Sequence, residues 1–276
     1  MTADATDDPR QLAVERFDAP DTPERAARGL GIIGTHATDP PLVIGGLLDA
    51  LAPAATPGAR ICEMGFGSGW LLEEMITAFP AARVVGLDMS ESLTRAAHRW
   101  FGGPAAIVRG DMEAPPFREG SLDAVVTCFT LYFMRDIDAA LDAIARCLRP
   151  GGRFVAATVA ADNMREYTEL AGQAARTAGA EPEPDISDRF DLASGRAYVE
   201  RHFDDLTLVE WHGELVLDDP GLLLELWRPY GVTGLTDDED GRTREEFARL
   251  CREHITRHGP LRITRHSGAF VGRTRR

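Results

Sequence analysis

Between residues 60 and 159, short apolar runs alternate with amphipathic stretches, and few folds accommodate that alternation. The apolar runs are expected to be strands over Arg60–Glu63, Arg83–Asp88, Ala105–Arg109, Leu122–Cys128 and Arg153–Val159. Between them, Leu71, Leu72, Met75, Ile76 and Phe79 share one helix face. Ile137, Leu141, Ile144 and Leu148 share another, with Asp136 placed as its N-cap and Pro150-Gly151-Gly152 as its stop. Strands this short and this apolar have no wetted face. They predict a mostly parallel sheet covered by helices on both sides.

The flanks are less regular. Residues 1–25 are polar, and 26–52 carry a helical pattern (Leu42, Val43, Leu47, Leu48, Leu51) after the Pro40-Pro41 break. Past residue 160 the expectations are a helix over 162–178, a Pro/acidic loop over 179–188 and a strand over Leu206–Leu217. Helices over 220–228 and 243–257 follow, separated by the acidic Gly231–Gly241 stretch, and Arg262–Val271 is the final strand. The chain thus divides into an N-terminal helical or lid segment (1–54), an α/β core (55–217), a helical insertion (218–258), and a last core strand with a basic tail (259–276).

All 30 basic residues are arginine, a bias that fits the coding preference of a GC-rich genome. The missing lysine excludes Schiff-base, phosphate-loop and kinase-type chemistry. Hydrolysis, metal work, hydride transfer and group transfer stay open. The net charge is −14, but residues 242–276 set ten arginines against Glu245, Glu246 and Glu253. An acidic body argues against nucleic-acid binding, and the basic end is expected to be a solvated helix face plus a frayed tail at Arg273, Arg275 and Arg276. No apolar run approaches the ~18 residues of a membrane span. Cys62, Cys128, Cys147 and Cys251 form no CxxC pair and are expected to be buried thiols of a reduced compartment. The N-terminus has no apolar signal core, so the location expected is cytoplasmic. No metal site is assigned. A homodimer is the one self-association expected.

The segment Ile61–Trp70, ICEMGFGSGW, falls at the first strand-to-helix turn, where an open α/β sheet binds its ligands. Gly65, Gly67 and Gly69 remove side chains where a ligand edge approaches. A dinucleotide fingerprint requires a third glycine where Trp70 stands, and Glu63 would repel a pyrophosphate. A carboxylate at Glu63 suits a ligand carrying an ammonium and a sulfonium. Asp88 ends the second strand, placed to accept both hydroxyls of a ribose. Asp111 follows the third, placed to accept from an adenine amino group. Met89 and Met112 follow the two aspartates and could sandwich a purine. The plainer alternatives are helix caps for the aspartates and core filler for Met89.

These segments resemble the class I S-adenosylmethionine-dependent methyltransferases: EMGFGSG their first motif, VVGLDMS the second-strand acidic motif and GDMEAPPF the adenine-contacting stretch. SLDAVVTCFTLYFMRD and ALDAIARCLRPGGRFVAATVA resemble their fourth and fifth strands with the intervening helix, so the likeness is close over roughly 55–160. FDLASGRAYVERHFDDLTLVEW is similar to a segment recurrent in bacterial members. The resemblance implies a Rossmann-like seven-stranded sheet, mostly parallel with an antiparallel last strand, helices on both faces and a helical cap. It also implies S-adenosylmethionine as methyl donor, S-adenosylhomocysteine as product, and a small-molecule metabolite as O, N or C acceptor, as in bacterial secondary metabolism. The donor would be held by Glu63, Gly65, Gly67, Gly69, Asp88, Met89, Asp111, Met112 and Phe129.

The fourth-strand exit, CFTLYF, lacks the Asn/Asp-Pro-Pro-Tyr pattern of enzymes that methylate nucleic-acid amino groups. Phe133 stands where many relatives carry a histidine. Among seven histidines, His36 in the lid segment is the candidate base, and His254 is expected to be packed. Tyr132 is the candidate that orients the acceptor, and Trp227 with Tyr230 could form an aromatic wall. The competing readings are a sulfonium-binding relative that catalyses another reaction, an RNA methyltransferase using the basic end, and an NAD enzyme.

Overall fold

A computed structural model describes residue 9 and residues 22–181, 184–227 and 235–275. Among the described residues, the helices α1 (Thr22–His36) and α2 (Pro40–Leu51) precede β1 (Arg60–Met64). Then follow α3 (Trp70–Ala78), β2 (Arg83–Asp88), α4 (Glu91–Phe101), β3 (Ala105–Arg109), β4 (Leu122–Cys128), α5 (Ile137–Cys147) and β5 (Leu148–Val159). The second half holds α6 (Arg165–Thr177), α7 (Gly195–His202), β6 (Asp204–Leu217), α8 (Pro220–Glu225), α9 (Asp237–His258) and β7 (Leu261–Arg273). The seven strands form one sheet in the order β3-β2-β1-β4-β5-β7-β6, with β7 antiparallel to both of its neighbours. That is the sheet implied by the resemblance.

Alternation of side chains across the strands builds two cores. On one face Ile61, Val126, Val155, Ala157 and Trp211 pack under α2, α3 and α4, through Leu47, Leu51, Leu71, Met75 and Leu93. On the other, Cys62, Met64, Val125, Phe154 and Phe270 pack under α5 and α7, through Leu141, Ile144 and Val199. A third core has a different base. In register, Val159 at the end of β5 faces Ser267, and Ser267 faces Trp211. The last residues of β6 and the first of β7 therefore overhang the carboxyl edge as a two-stranded ribbon. Leu215, Leu217, Leu261 and Ile263 of that ribbon are buried by α6, α8 and α9 through Tyr167, Ala171, Leu223, Phe247 and Cys251.

Several local features depart from the sequence expectations. Pro150-Gly151-Gly152 does not separate helix from strand. Leu148 already pairs with Leu122, and the segment is a bulge inside β5, with Gly151 at φ 71°. Its amides are taken up by Thr274, from Gly151 to the carbonyl (3.2 Å) and from Gly152 to the hydroxyl (3.0 Å). Helix α9 starts at Asp237, inside the acidic stretch expected to be a spacer. Thr236 and Glu239 form a reciprocal capping box, and Asp237, Asp238, Glu239 and Asp240 crowd the first turn, where the helix dipole favours negative charge.

The C-terminal arginines are not a frayed tail either. Arg273 is the last residue of β7, and Arg275 pairs with Asp204 and donates to the Arg201 carbonyl. Arg276 lies outside the described residues. The four cysteines are free and buried, as their apolar settings predict. No described helix is long and apolar enough to cross a membrane.

Candidate active site

The glycine turn leaves β1 at the centre of the carboxyl edge, and all three glycines adopt positive φ: 73° at Gly65, 56° at Gly67 and 80° at Gly69. Their surroundings differ. A Cβ on Gly65 would lie 2.5 Å from the Thr130 side chain, and one on Gly69 would lie 2.6 Å from the Phe101 ring. Those two glycines are required by protein packing. A Cβ on Gly67 would meet nothing within 4 Å, so this is the glycine that faces open space.

Asp88 organises the turn. One carboxylate oxygen accepts from the Gly67 amide (2.9 Å) and the other from the Ser90 amide (2.9 Å). The N-cap of α4 is Ser90, whose hydroxyl accepts from Leu93 N, so the helix-cap alternative does not explain Asp88. Asp111 accepts from the Glu113 amide (2.9 Å) in the turn after β3. Glu113 in turn accepts from the Asp136 amide (3.0 Å), which ties this turn to the start of α5. The expected cap at Asp136 is present and accepts from Ala139 N.

Glu63 stands apart from these. It is 1% exposed, and neither carboxylate oxygen has a hydrogen-bond partner. Burial pushes its carboxyl well above the ordinary range, and the charge of Asp88 pushes it further. A fully buried, unpartnered carboxyl costs stability and persists only where something offsets it. A cationic ligand group seated at the carboxyl end of β1 would do so. The Cys62 and Cys128 thiols are likewise pushed up by burial and cannot serve as nucleophiles at neutral pH.

The other expected donor contacts are spread along the same edge. Met89 is half-buried, with its carbonyl held by Arg109 Nε (3.2 Å). Met112 is 4% exposed and packs in the second core, so most of its side chain serves the sheet. Phe129, just past β4, adopts φ 53°, a strained value for a non-glycine residue that recurs at functional sites. Its amide continues the ladder by donating to the Ala157 carbonyl (2.9 Å). Thr130, which the sequence reading did not single out, has its hydroxyl 2.7 Å from the Cys128 carbonyl and 3.3 Å from that of Gly65. No local signal marks it, because its partner glycine is 65 residues away.

The two catalytic candidates are not neighbours. Tyr132 lies in the 3₁₀ turn Leu131–Phe133 at the exit of β4, half-buried against the second core, its ring 4.8 Å from that of Phe133. His36 ends α1, where Ala37 bridges to Leu215 and the Thr38 amide donates to the Glu214 carbonyl, at the carboxyl end of β6. Strands β4 and β6 are three steps apart in the sheet, about 14 Å at a strand spacing of ~4.8 Å. Both residues could face one acceptor only from opposite sides. Helix α1 touches α4 at one end of this span and α8 and β6 at the other, so it crosses the carboxyl edge above the glycine turn.

Other histidines have structural partners or solvent. His202 contacts Asp138 (2.9 Å), and His98 is exposed. His254 is not packed in a core; it is half-buried beside His258, in a groove shared with Glu166 and Glu169. Trp227 is buried, and its ring N–H donates to Asp240 (2.7 Å), so it is a packing residue of the cap. Tyr230 lies outside the described residues.

A methyltransferase-domain family model matches residues 62–156, from β1 through β5. Malonyl-[acyl-carrier protein] O-methyltransferase of Chlorobium phaeovibrioides is 31% identical over 202 residues, 70% of this chain and 73% of the relative. The chain belongs to the class I S-adenosylmethionine-dependent methyltransferases. Among solved structures, the YcgJ protein of Bacillus subtilis superposes with a TM-score of 0.52 at 15% identity, over 83% of this chain and 99% of that one. Geranyl diphosphate C-methyltransferase of Streptomyces coelicolor does so at 0.50 and 16%, over 84% and 75%. At those identities the two structures speak to the fold alone. As a member of this family the chain is an enzyme with S-adenosylmethionine as its cofactor.

Proposed function

We propose that this methyltransferase acts on a small-molecule metabolite held between the glycine turn and the cap, with the donor at the carboxyl ends of β1, β2 and β3. The observation that carries the donor placement is Glu63, a buried carboxyl with no partner at the end of β1. When bound, S-adenosylmethionine supplies a methyl group on a positively charged sulfur. Glu63 would accept from the donor's ammonium, Asp88 from ribose hydroxyls and Asp111 from the adenine amino group. Gly67 leaves the space, and Met89, Met112 and Phe129 border the purine.

The protein's main contribution is alignment. Transfer proceeds in line, and holding both reactants in register can supply up to ~7–11 kcal/mol of the barrier. Helix α1 would exclude water from above, with residues 218–258 as the acceptor cap and 55–217 as the donor-binding core. Tyr132 would orient the acceptor from the β4 side. His36 would take a proton from an oxygen acceptor on the β6 side.

The acidic surface favours a small acceptor over nucleic acid. A cytoplasmic location, a role in secondary metabolism and a homodimeric state belong to the same proposal. The Chlorobium relative acts on malonyl-[acyl-carrier protein], which makes a carrier-bound malonyl thioester the first acceptor to try. The test is label transfer from methyl-labelled S-adenosylmethionine into that thioester, an extract of bacterial metabolites, and RNA. Label in a small organic product or the thioester's malonyl group supports the proposal. Label in RNA, or tight donor binding with no transfer, overturns it.

A further inference from the structure

Across the sheet from the donor turn, on the face that carries the second core, four side chains converge that the methyl-transfer reaction does not use. His212 of β6 lies directly opposite His266 of β7, and Glu210 is two residues back along β6 on the same face. The imidazole rings are 4.0 Å apart, centroid to centroid, at 35°. One ligating atom from each of Glu210, His212 and His266 falls within 4.8 Å of the others. The fourth group is Asp162, in the segment after β5, whose carboxylate is 2.7 Å from His266 Nδ1.

The contacts of His266 are informative. Both ring nitrogens face carboxylate oxygens, Nδ1 at 2.7 Å to Asp162 and Nε2 at 3.1 Å to Glu210. A neutral imidazole has a single N–H. If Nδ1–H donates to Asp162, the Nε2 lone pair points at an anionic oxygen, and that contact is repulsive unless a cation lies between them. A metal ion relieves it, since it takes the lone pairs of the two imidazoles, whose rings are 4.0 Å apart, and one oxygen of Glu210. Asp162 then acts as the outer carboxylate that fixes the tautomer, as in carboxylate–histidine–metal arrangements.

We propose that Glu210, His212 and His266 bind a divalent transition-metal ion of borderline softness, for which zinc is the probe. Two imidazoles and a carboxylate are a zinc ligand set, with bonds of ~2.0–2.2 Å that set tetrahedral ligand atoms ~3.3 Å apart. Closing from within 4.8 Å to that spacing needs only side-chain rotation, because the two strands are already paired through these residues. Glu210 and His212 are exposed, so the fourth coordination position opens to solvent. The ion would clamp the ribbon where it leaves the sheet to carry the cap. His266 also fixes the segment after β5, accepting at its carbonyl from the Ala160 amide (3.1 Å) and donating its own amide to Asn163 (3.1 Å).

The test is calorimetric titration of zinc chloride into the chelator-treated 276-residue chain, with thermal melts alongside. One zinc per chain at micromolar affinity or tighter is expected, with a zinc-dependent rise in Tm. Asp162→Asn should weaken binding about 10- to 100-fold, as loss of an outer carboxylate does. His212→Ala and His266→Ala should abolish binding and the Tm rise, while the zinc-free melt of exposed His212→Ala stays near that of the parent. His254→Ala, in the other paired-histidine position on α9, should bind as the parent does. No uptake by the parent protein, or uptake that survives His212→Ala and is lost in His254→Ala, overturns the proposal.

Discussion

Replacing Glu63 with glutamine (Glu63→Gln) should stabilise the donor-free enzyme and weaken its hold on the donor, an unusual pair of effects for a core substitution. The folded carboxyl is raised above its unfolded value by burial and by Asp88. From the ordinary glutamate range near pH ~4.3 up to the raised folded value, the folded state binds more protons than the unfolded state, so stability falls as pH rises. Each pH unit of that window costs about 1.4 kcal/mol. Glutamine does not titrate, and it removes this slope. The variant's advantage in Tm should therefore grow with pH above ~4.3, at about 2 °C per kcal/mol for a chain of 276 residues. On the donor side, a charge-assisted hydrogen bond is worth about 1.5–3 kcal/mol, so S-adenosylmethionine affinity should drop roughly 10- to 150-fold. In the pH window where the raised carboxyl is protonated in the donor-free enzyme, the wild type should also release a proton on binding donor, and the variant should not; calorimetry in buffers of different ionisation enthalpy counts that proton. A Glu63→Gln enzyme that melts below wild type across the pH range and binds donor equally well would refute the reasoning.

The remaining predictions follow from the same geometry. Gly67→Leu meets open space, so it should fold, with about 1–2 kcal/mol lost to the left-handed backbone; calorimetry should nevertheless find no donor binding. Thr236→Ala removes the cap of α9 and should cost about 0.5–2 kcal/mol in urea unfolding. Its KM for an identified acceptor should rise more than its donor affinity changes. Acid should weaken the Asp138 contacts with Arg201 and His202 together: the Arg201 hydrogen bond, and to a smaller extent that of His202, holds the Asp138 carboxyl below its ordinary value, and that contribution is lost as pH falls through the lowered value. An Asp138→Asn variant should then show a shallower acid limb in a thermal-melt series.

Much of the core was legible from sequence because its signals are local. Strands β2, β3 and β4 have the bounds expected from their apolar runs, since each is framed by turn residues, even though β3 at the sheet edge exposes Ala106 and Arg109. The glycine turn, Glu63, Asp88 and Asp111 could be singled out as donor candidates because each lies at or just past the end of one strand. What was missed depends on pairing between distant segments. The overhanging ribbon arises from the register of β6 on β7, which periodicity cannot set. The same is true of the His212–His266 pair, and of the buried ion pair between Asp39 and Arg265 (3.4 Å), whose partners are 226 residues apart. The early start of α9 was hidden because four acids in a row suggest a solvated spacer until Thr236 and Glu239 are seen to close on each other.

The central claim, a methyl donor held at Glu63 and Gly67, is tested most directly by titrating S-adenosylmethionine and NAD separately into the purified wild-type protein. One S-adenosylmethionine per chain, and no heat with NAD, is the predicted result. Binding of NAD without binding of S-adenosylmethionine would contradict it.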